Sequence, residues 1–473
     1  MQKIALFLLS VTYYLNVSAQ QINAVNGSAY VPIITQQLNP ATIANTDRKF
    51  SLQLLGSEFN FLSNSFYFKD YNILKKIPDT ITLVTKEAKY APIAKLNGSF
   101  NIFSLAIKGK RNSAFSLGSS IRNSSSFKSE PINWNDTIGS VTDFFRTNVA
   151  TDRLHGNMLT STWVENSIGF ATEISINNNG TWYVGVKMKH MLGLTGGYFS
   201  LQNVHYTTKQ TPAITYNQLI DGKGIYAFSS NTDALLNEKL SNTDKGKEFL
   251  KNSKSSFGFD IGAEYVQHNN FWGDEAARTN YNFKIGIAIV DIGNVQYGFS
   301  KNSLSFNGFN NNAFDTSLQR IINNATTVEK FKDSLTAIVN NANTPSGNFA
   351  IALPTRLVIS IDKTIAENVY IQACLQMPLT TPTVQNLHTR QLNLLSITPR
   401  WEKQRLGAYL PIQVNNNGTT WVGLTGRVGP LIFGFHNIGW LFGKNSVNGG
   451  GFLTFIIQGK NRETDNSMPC PRL

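Results

Sequence analysis

With 473 residues that are 41% hydrophobic, 11% aromatic and 15% charged, the chain is too apolar to be disordered and too evenly mixed to be a bundle of membrane helices. Its formal net charge of +13 is scattered over turns and loops instead of forming one basic run, which argues against a nucleic-acid partner and for loop solvation or anionic lipid. Two cysteines, Cys374 and Cys470, are too few for a disulfide framework, although a single bridge between them stays open. Residues 1–19 read as a signal peptide, with Lys3 as the basic end, an apolar stretch over 4–17 and Val17-Ser18-Ala19 as the cleavage site. Export is therefore expected, and no Cys follows the site to carry a lipid anchor. No later stretch reaches the roughly 18 unbroken apolar residues that a membrane helix needs.

Residues 20–49 are expected to form an N-terminal periplasmic or plug segment, 50–459 a β-barrel and 460–473 a polar tail. The barrel pattern begins at Phe50 and continues with Phe103, Leu105 and Ile107, a tight turn over 109–112, then Phe115, Leu117 and Ile121. After a loop, Ile168, Phe170, Thr172, Ile174 and Ile176 alternate with Gly169, Ala171, Glu173 and Ser175. A turn at Asn177-Asn178-Asn179-Gly180 leads to Trp182, Val184, Val186 and Met188. Residues 207–255 form a long insertion with a helix-like stretch near 234–250. Phe257, Phe259 and Ile261 then face outward, and a turn around 270–278 leads to Tyr281, Phe283, Ile285, Ile287 and Ile289, opposite Asn282, Lys284, Gly286 and Ala288.

A kink is expected at Gly293, followed by a second insertion, 307–354, with a helical pattern over 314–341 that caps or plugs the pore. The last third alternates at short intervals from Leu357 to Gln458. Fourteen runs result, an even number that returns both ends of the barrel to the periplasmic side, with every tight turn there and every long connection outside. The fold expected is an all-β, transmembrane antiparallel barrel of about fourteen strands with long, partly helical extracellular loops. The similar runs Asn177-Asn178-Asn179-Gly180 and Asn415-Asn416-Asn417-Gly418 fall on opposite sides, so shared turn chemistry explains them better than a repeat.

Three stretches carry a resemblance. They are Leu38-Asn39-Pro40-Ala41, the run from Ile285 to Gly293 (Ile-Gly-Ile-Ala-Ile-Val-Asp-Ile-Gly), and the run from Trp421 to Leu431 (Trp-Val-Gly-Leu-Thr-Gly-Arg-Val-Gly-Pro-Leu). Jointly they resemble a family of uncharacterised outer-membrane barrels, a domain of unknown function similar in shape to long-chain fatty-acid transporters. The third is also similar to membrane proteins that accompany type IX secretion and gliding. The resemblance implies a Gram-negative outer-membrane barrel. Its role is then a channel or uptake protein for small hydrophobic or amphipathic molecules or, alternatively, a non-transporting scaffold in contact with an envelope protein.

No catalytic constellation emerges, so an enzyme is not expected, and neither is a cofactor or metal. Gly222-Lys223-Gly224-Ile225-Tyr226-Ala227 matches the loose dinucleotide pattern without its strand, helix and acidic partner, and the six histidines show no metal spacing. The informative set is Glu173, Lys187, Asp260, Glu264, Lys284, Arg356, Asp362 and Arg427, all on the face expected to line the lumen. A midplane Lys or Arg facing lipid costs about 2–4 kcal/mol, so these charges belong inside, more as a salt-bridged interior than as a selectivity filter. Trp182, Trp401, Trp421 and Trp440 are expected as interfacial anchors in the lipid head groups.

Overall fold

Strands with one apolar face and one polar face saturate their backbone in lipid only by closing into a ring. A computed structural model of the chain describes residues 23–69, 83–85, 91–109, 112–135, 138–148, 153–177, 180–210, 215–268, 281–380, 383, 385, 387–389, 393–415, 419–443 and 448–459. The expected signal peptide, the turn over 270–278, the centres of both Asn-rich turns, Lys110 and the tail with Cys470 lie outside them. In chain order the strands are β1 (Phe50–Ser63), a small hairpin of β2 (Phe66–Phe68) and β3 (Leu83–Thr85), β4 (Ile93–Lys108), β5 (Ala114–Ser129), β6 (Arg153–Asn177), β7 (Gly180–Gln210) and β8 (Thr215–Phe228). There follow β9 (Ser255–His268), β10 (Tyr281–Gly298), β11 (Leu304–Asn307), β12 (Asn348–Ala352), β13 (Arg356–Ala366), β14 (Val369–Pro378), β15 (Leu387–His388) and β16 (Leu394–Glu402). The series ends with β17 (Leu406–Tyr409), β18 (Ile412–Asn415), β19 (Thr420–Val422), β20 (Leu424–Val428), β21 (Leu431–Phe435) and β22 (Gly449–Gln458).

The ring runs β1, β4, β5, β6, β7, β9, β10, β13, β14, β16, then β17 with β18, β19 with β20, β21 and β22, which pairs back with β1 from Ser51↔Gln458 to Phe61↔Gly449. Two wall strands are broken in the middle. The break at Pro411, which has no N–H to give a ladder, lies against the break at Gly423: the Gly423 N–H donates to the Pro411 carbonyl at 2.8 Å, and a Cβ there would sit 2.8 Å from the proline ring. Counting each broken strand once gives a closed antiparallel barrel of fourteen strands, as the sequence predicts. Lipid-facing positions such as Ile168, Val186, Ile287 and Val428 are exposed, while their neighbours in sequence point inward.

β10 departs from simple alternation twice. Its register with β9 shifts between Tyr281 and Phe283, so Tyr281 points inward, 1% exposed, and Asn282 outward, the reverse of the expectation for these two residues. A second shift between Ile289 and Ile292 is a bulge with Asp291 at φ 59° and Gly293 at φ 134°. Beyond it Val295 and Tyr297 take over the inward face.

Both insertions differ from expectation in detail. The first contains β8, a strand paired to the long-loop end of β7 and to β11, before two short helices, Thr232–Leu236 and Asn242–Lys251. The glycine motif at 222–227 therefore lies in a strand, not in a loop. The second contains helices Asp315–Asn324 and Val328–Thr336, interrupted at 325–327, which pack with Val141, Phe145, Leu219 and Phe306 over the sheet extension at the long-loop end.

Candidate functional site: a plugged and charged lumen

Residues 23–48 lie inside the barrel at the end where the short turns cluster. They fold as a 3-10 turn (Asn23–Val25), a short helix (Pro32–Thr35) and a second 3-10 turn (Pro40–Ile43) capped by Asn39, whose side chain accepts the Ala41 N–H at 3.0 Å. Val25, Ile33, Ile34, Ala41 and Ile43 are at most 2% exposed and pack on small or aromatic wall residues, among them Ala106, Ala171, Tyr183 and Tyr409. Close approach depends on glycine: a Cβ at Gly185 would lie 2.6 Å from the Pro40 carbonyl carbon and the Ala41 nitrogen. Asn39 Nδ2 also donates to the Ala263 carbonyl at 2.9 Å. Leu38-Asn39-Pro40-Ala41 is thus the segment docked most tightly onto β7 and β9.

A ring of charges surrounds this plug. Arg400 donates to both oxygens of Asp362 at 2.9 and 2.7 Å and to Glu402 at 2.9 Å, and it stacks on Tyr370. Tyr281 and Tyr409 donate to Asp362 and Glu402 at 2.9 and 2.7 Å. From this ring Lys284 and Arg400 reach the Gly27 carbonyl, Glu402 accepts the Ser28 hydroxyl, and Glu264 accepts Asn45 Nδ2 at 2.9 Å. Arg427 lies over the Tyr30 ring at 4.8 Å, while Lys108 and Gln458 donate to the Ala44 and Tyr30 carbonyls.

A second ionic layer crosses the lumen farther from the short turns. The bulge turns Asp291 inward, fully buried, where it accepts two bonds from Arg122 (2.7 and 3.0 Å), one from Arg356 (3.0 Å) and one from Lys189 (2.6 Å). Lys189 also pairs with Asp260 at 2.6 Å, and Arg122 with Glu165 at 2.7 Å; Lys187 lies 3.8 Å from Glu165. Above this layer the lumen is apolar: Trp163, Met191, Val295, Phe349, Ile351 and Leu353 enclose Tyr297, which stacks on Phe349 and bonds Ser161 at 2.7 Å. Arg122 over Trp163 at 5.2 Å joins the two layers.

Seven of the eight residues picked from sequence fall into two groups. Glu264, Lys284, Asp362 and Arg427 meet the plug, and Lys187, Asp260 and Arg356 belong to the upper layer. Glu173 is half-buried, opposite Tyr183 in the register near the β6–β7 turn. Sequence reasoning missed Arg122, Glu165, Lys189, Asp291, Arg400 and Glu402. Lys189 shares the parity of Lys187 and was legible; Asp291 was not, because the bulge changes its face.

Two expected anchors also move. Trp182 and Trp401 face outward, each 38% exposed, but Trp421 and Trp440 are 5% and 7% exposed, packed against Leu62 and Leu394 and against Phe59 and Phe68 respectively. His436 is buried rather than superficial, 3.1 Å from Glu58. Cys374 is buried, its sulfur accepting from Asn26 Nδ2 at 3.4 Å, and it forms no disulfide among the described residues.

A small polar chamber remains between the plug and strands β4 to β7, bounded by Gln36, Gln37, Asn101, Ser120 and the basic edge of the upper layer. A family model described as a family of unknown function (DUF5723) matches residues 40–436, from the docked Pro40 to the buried His436. The chain belongs to this family. No curated protein matches it. Among solved structures it is similar to a deletion mutant of the monoaromatic hydrocarbon channel TodX, at 10% identity and a TM-score of 0.42 over 94% of this chain and 96% of that one. It is also similar to a Pseudomonas aeruginosa FadL homologue (10% identity, TM-score 0.42, 94% and 100% covered) and to the Ralstonia pickettii toluene transporter TbuX (9% identity, TM-score 0.40, 94% and 100% covered).

Proposed function

We propose that the protein is an outer-membrane channel or uptake protein for small hydrophobic or amphipathic molecules, held closed in this conformation by residues 23–48 as a removable gate. The observation that carries this reading is the separability of wall and plug. The pairing of β1 with β22 closes the ring without any plug residue, and the plug is tied to the wall by packing, hydrogen bonds and the short link into β1. A gate must be able to leave without breaking the wall, and the pairing that closes this wall involves none of residues 23–48. In this reading the short turns and the plug face the periplasm and the long connections face outside.

Deleting residues 23–46 tests the proposal. The variant is expected to fold in detergent, with the heat-sensitive gel mobility of a closed barrel, and to give stepwise conductance in planar bilayers where the full chain gives none. A folded variant that stays impermeable overturns the gate. A second reading, a non-transporting scaffold for a secretion or surface complex, is favoured by the apolar cluster around Tyr297, which packs above the ionic layer. Stoichiometric recovery of an envelope protein with an impermeable variant supports that reading.

A further inference from the structure

The chamber beside the plug is polar and bordered by an ionic layer unbalanced in charge. Its volume is about 40 Å³. By the same measure one water needs about 10–15 Å³, so it has room for roughly three waters or one carboxylate-sized group and none for an acyl chain. Every lining residue is polar or glycine. The ionic layer at its edge sets four cations, Arg122, Lys187, Lys189 and Arg356, against three carboxylates, Glu165, Asp260 and Asp291.

The surplus falls on Lys187. Arg122, Lys189 and Arg356 each have a carboxylate oxygen at 3.0 Å or less, whereas the ion-pair contact of Lys187, to Glu165, is at 3.8 Å. The Glu165 carboxylate also borders the chamber, but it is engaged by Arg122 at 2.7 Å. A second donor lines the same space. Asn101 is 5% exposed; its Oδ1 accepts the Ser104 hydroxyl at 2.8 Å, while its Nδ2 is buried with no hydrogen-bond partner among the described residues. A buried donor left unmatched costs about 1–3 kcal/mol, and an ammonium and an amide bordering one polar space are the partners an oxyanion requires.

We infer that this chamber binds a single oxyanion group, a carboxylate or a phosphate, through Lys187 Nζ and Asn101 Nδ2, with Gln36 and Gln37 of the plug forming its other wall. The inference does not rest on the uptake reading. A bound anion contacts both wall and plug, so it holds the plug in place whether or not the barrel transports anything. The anion arrives either free or as the head of an amphiphile.

The full-length protein in detergent is titrated with acetate and with inorganic phosphate against chloride at constant ionic strength, and binding is read by calorimetry. Saturable binding is expected. Lys187→Gln weakens it by about tenfold or more, the loss of one charge-assisted hydrogen bond, while Lys187→Arg retains it. Asn101→Leu, which leaves the ionic layer untouched, weakens it by about fivefold and carries the test if Lys187→Gln fails to fold. Lys363→Gln, on the exposed face of β13, binds as wild type. Decanoate below its micelle concentration separates the two sources. Affinity equal to that of acetate identifies a free anion, and tighter binding with the same dependence on Lys187 identifies an amphiphile head group. Absence of saturation, or saturable binding that neither Lys187→Gln nor Asn101→Leu weakens, overturns the site.

Discussion

Asp291 is the residue whose neutralisation is expected to cost most. It is fully buried and receives four hydrogen bonds from three cations on three strands, Arg122 of β5, Lys189 of β7 and Arg356 of β13. Asp291→Asn keeps the side-chain volume and tolerates φ 59°, so the backbone of the bulge is not the variable. What changes is charge: four buried cations then face two carboxylates, and the amide can turn only one oxygen toward three donors. Removing one partner of a buried ion pair costs about 3–5 kcal/mol, and the sharing of this carboxylate among three cations places the expected loss at the upper end of that range. Urea unfolding of the barrel in micelles, followed by gel mobility and tryptophan fluorescence, gives the difference. Adding Arg356→Met to Asp291→Asn removes the cation whose ion pair among the described residues is with Asp291 alone, and is expected to recover part of the loss, a coupling of roughly 1–3 kcal/mol. A single variant within about 1 kcal/mol of wild type, or a double variant that is simply additive, refutes the claim that Asp291 organises the layer.

Gly185→Val pushes a side chain into Pro40 and Ala41; overpacking of about 1–3 kcal/mol is expected to loosen the plug without opening the ring, read as faster protease cleavage within 23–48 at unchanged barrel mobility. Trp421→Ala, deleting a buried ring, is expected to cost about 3–5 kcal/mol, and Trp182→Ala, on the lipid-facing surface, clearly less; equal losses refute the assignment of Trp421 to the interior. Epitope tags at Asn242 and Asn324 are expected to be labelled on intact cells and a tag at Asn368, in the β13–β14 turn, is not; the opposite pattern inverts the proposed orientation.

The wall was legible because lipid on one side and a polar interior on the other impose a period of two on every strand that crosses, and the fourteen runs could be counted from that alone. Where the medium changes, the signal fails. β8 lies in the long-loop extension, and its residues read as loop. Trp421 suggests an interfacial anchor by residue type, although it lies an even number of positions from the inward Arg427 and its parity points inside. Asp291 was hidden for a different reason: one extra residue in a ladder moves every later side chain to the other face, and neither composition nor periodicity marks where that residue sits. Glu402 lies at the end of β16, where strand and turn merge, and reads with the turn over 402–405, whereas Arg400 falls inside the strand run and its parity, opposite to that of Trp401, points inward.

The seam between β1 and β22 also sets an order in time. The ring cannot shut until Gln458 meets Ser51, so the plug, which precedes every wall strand, has to be enclosed by strands that follow it along the chain. Its contacts are spread over early and late strands alike. Ala44 is held by Lys108 of β4, Asn39 by Ala263 of β9, and Asn26, Gly27 and Ser28 by Cys374, Arg400 and Glu402 of β14 and β16. The plug is therefore fastened to strands all round the ring and not to a single hairpin. Gln458 grips Tyr30 only as the last strand closes, so the barrel is built around the segment that seals it.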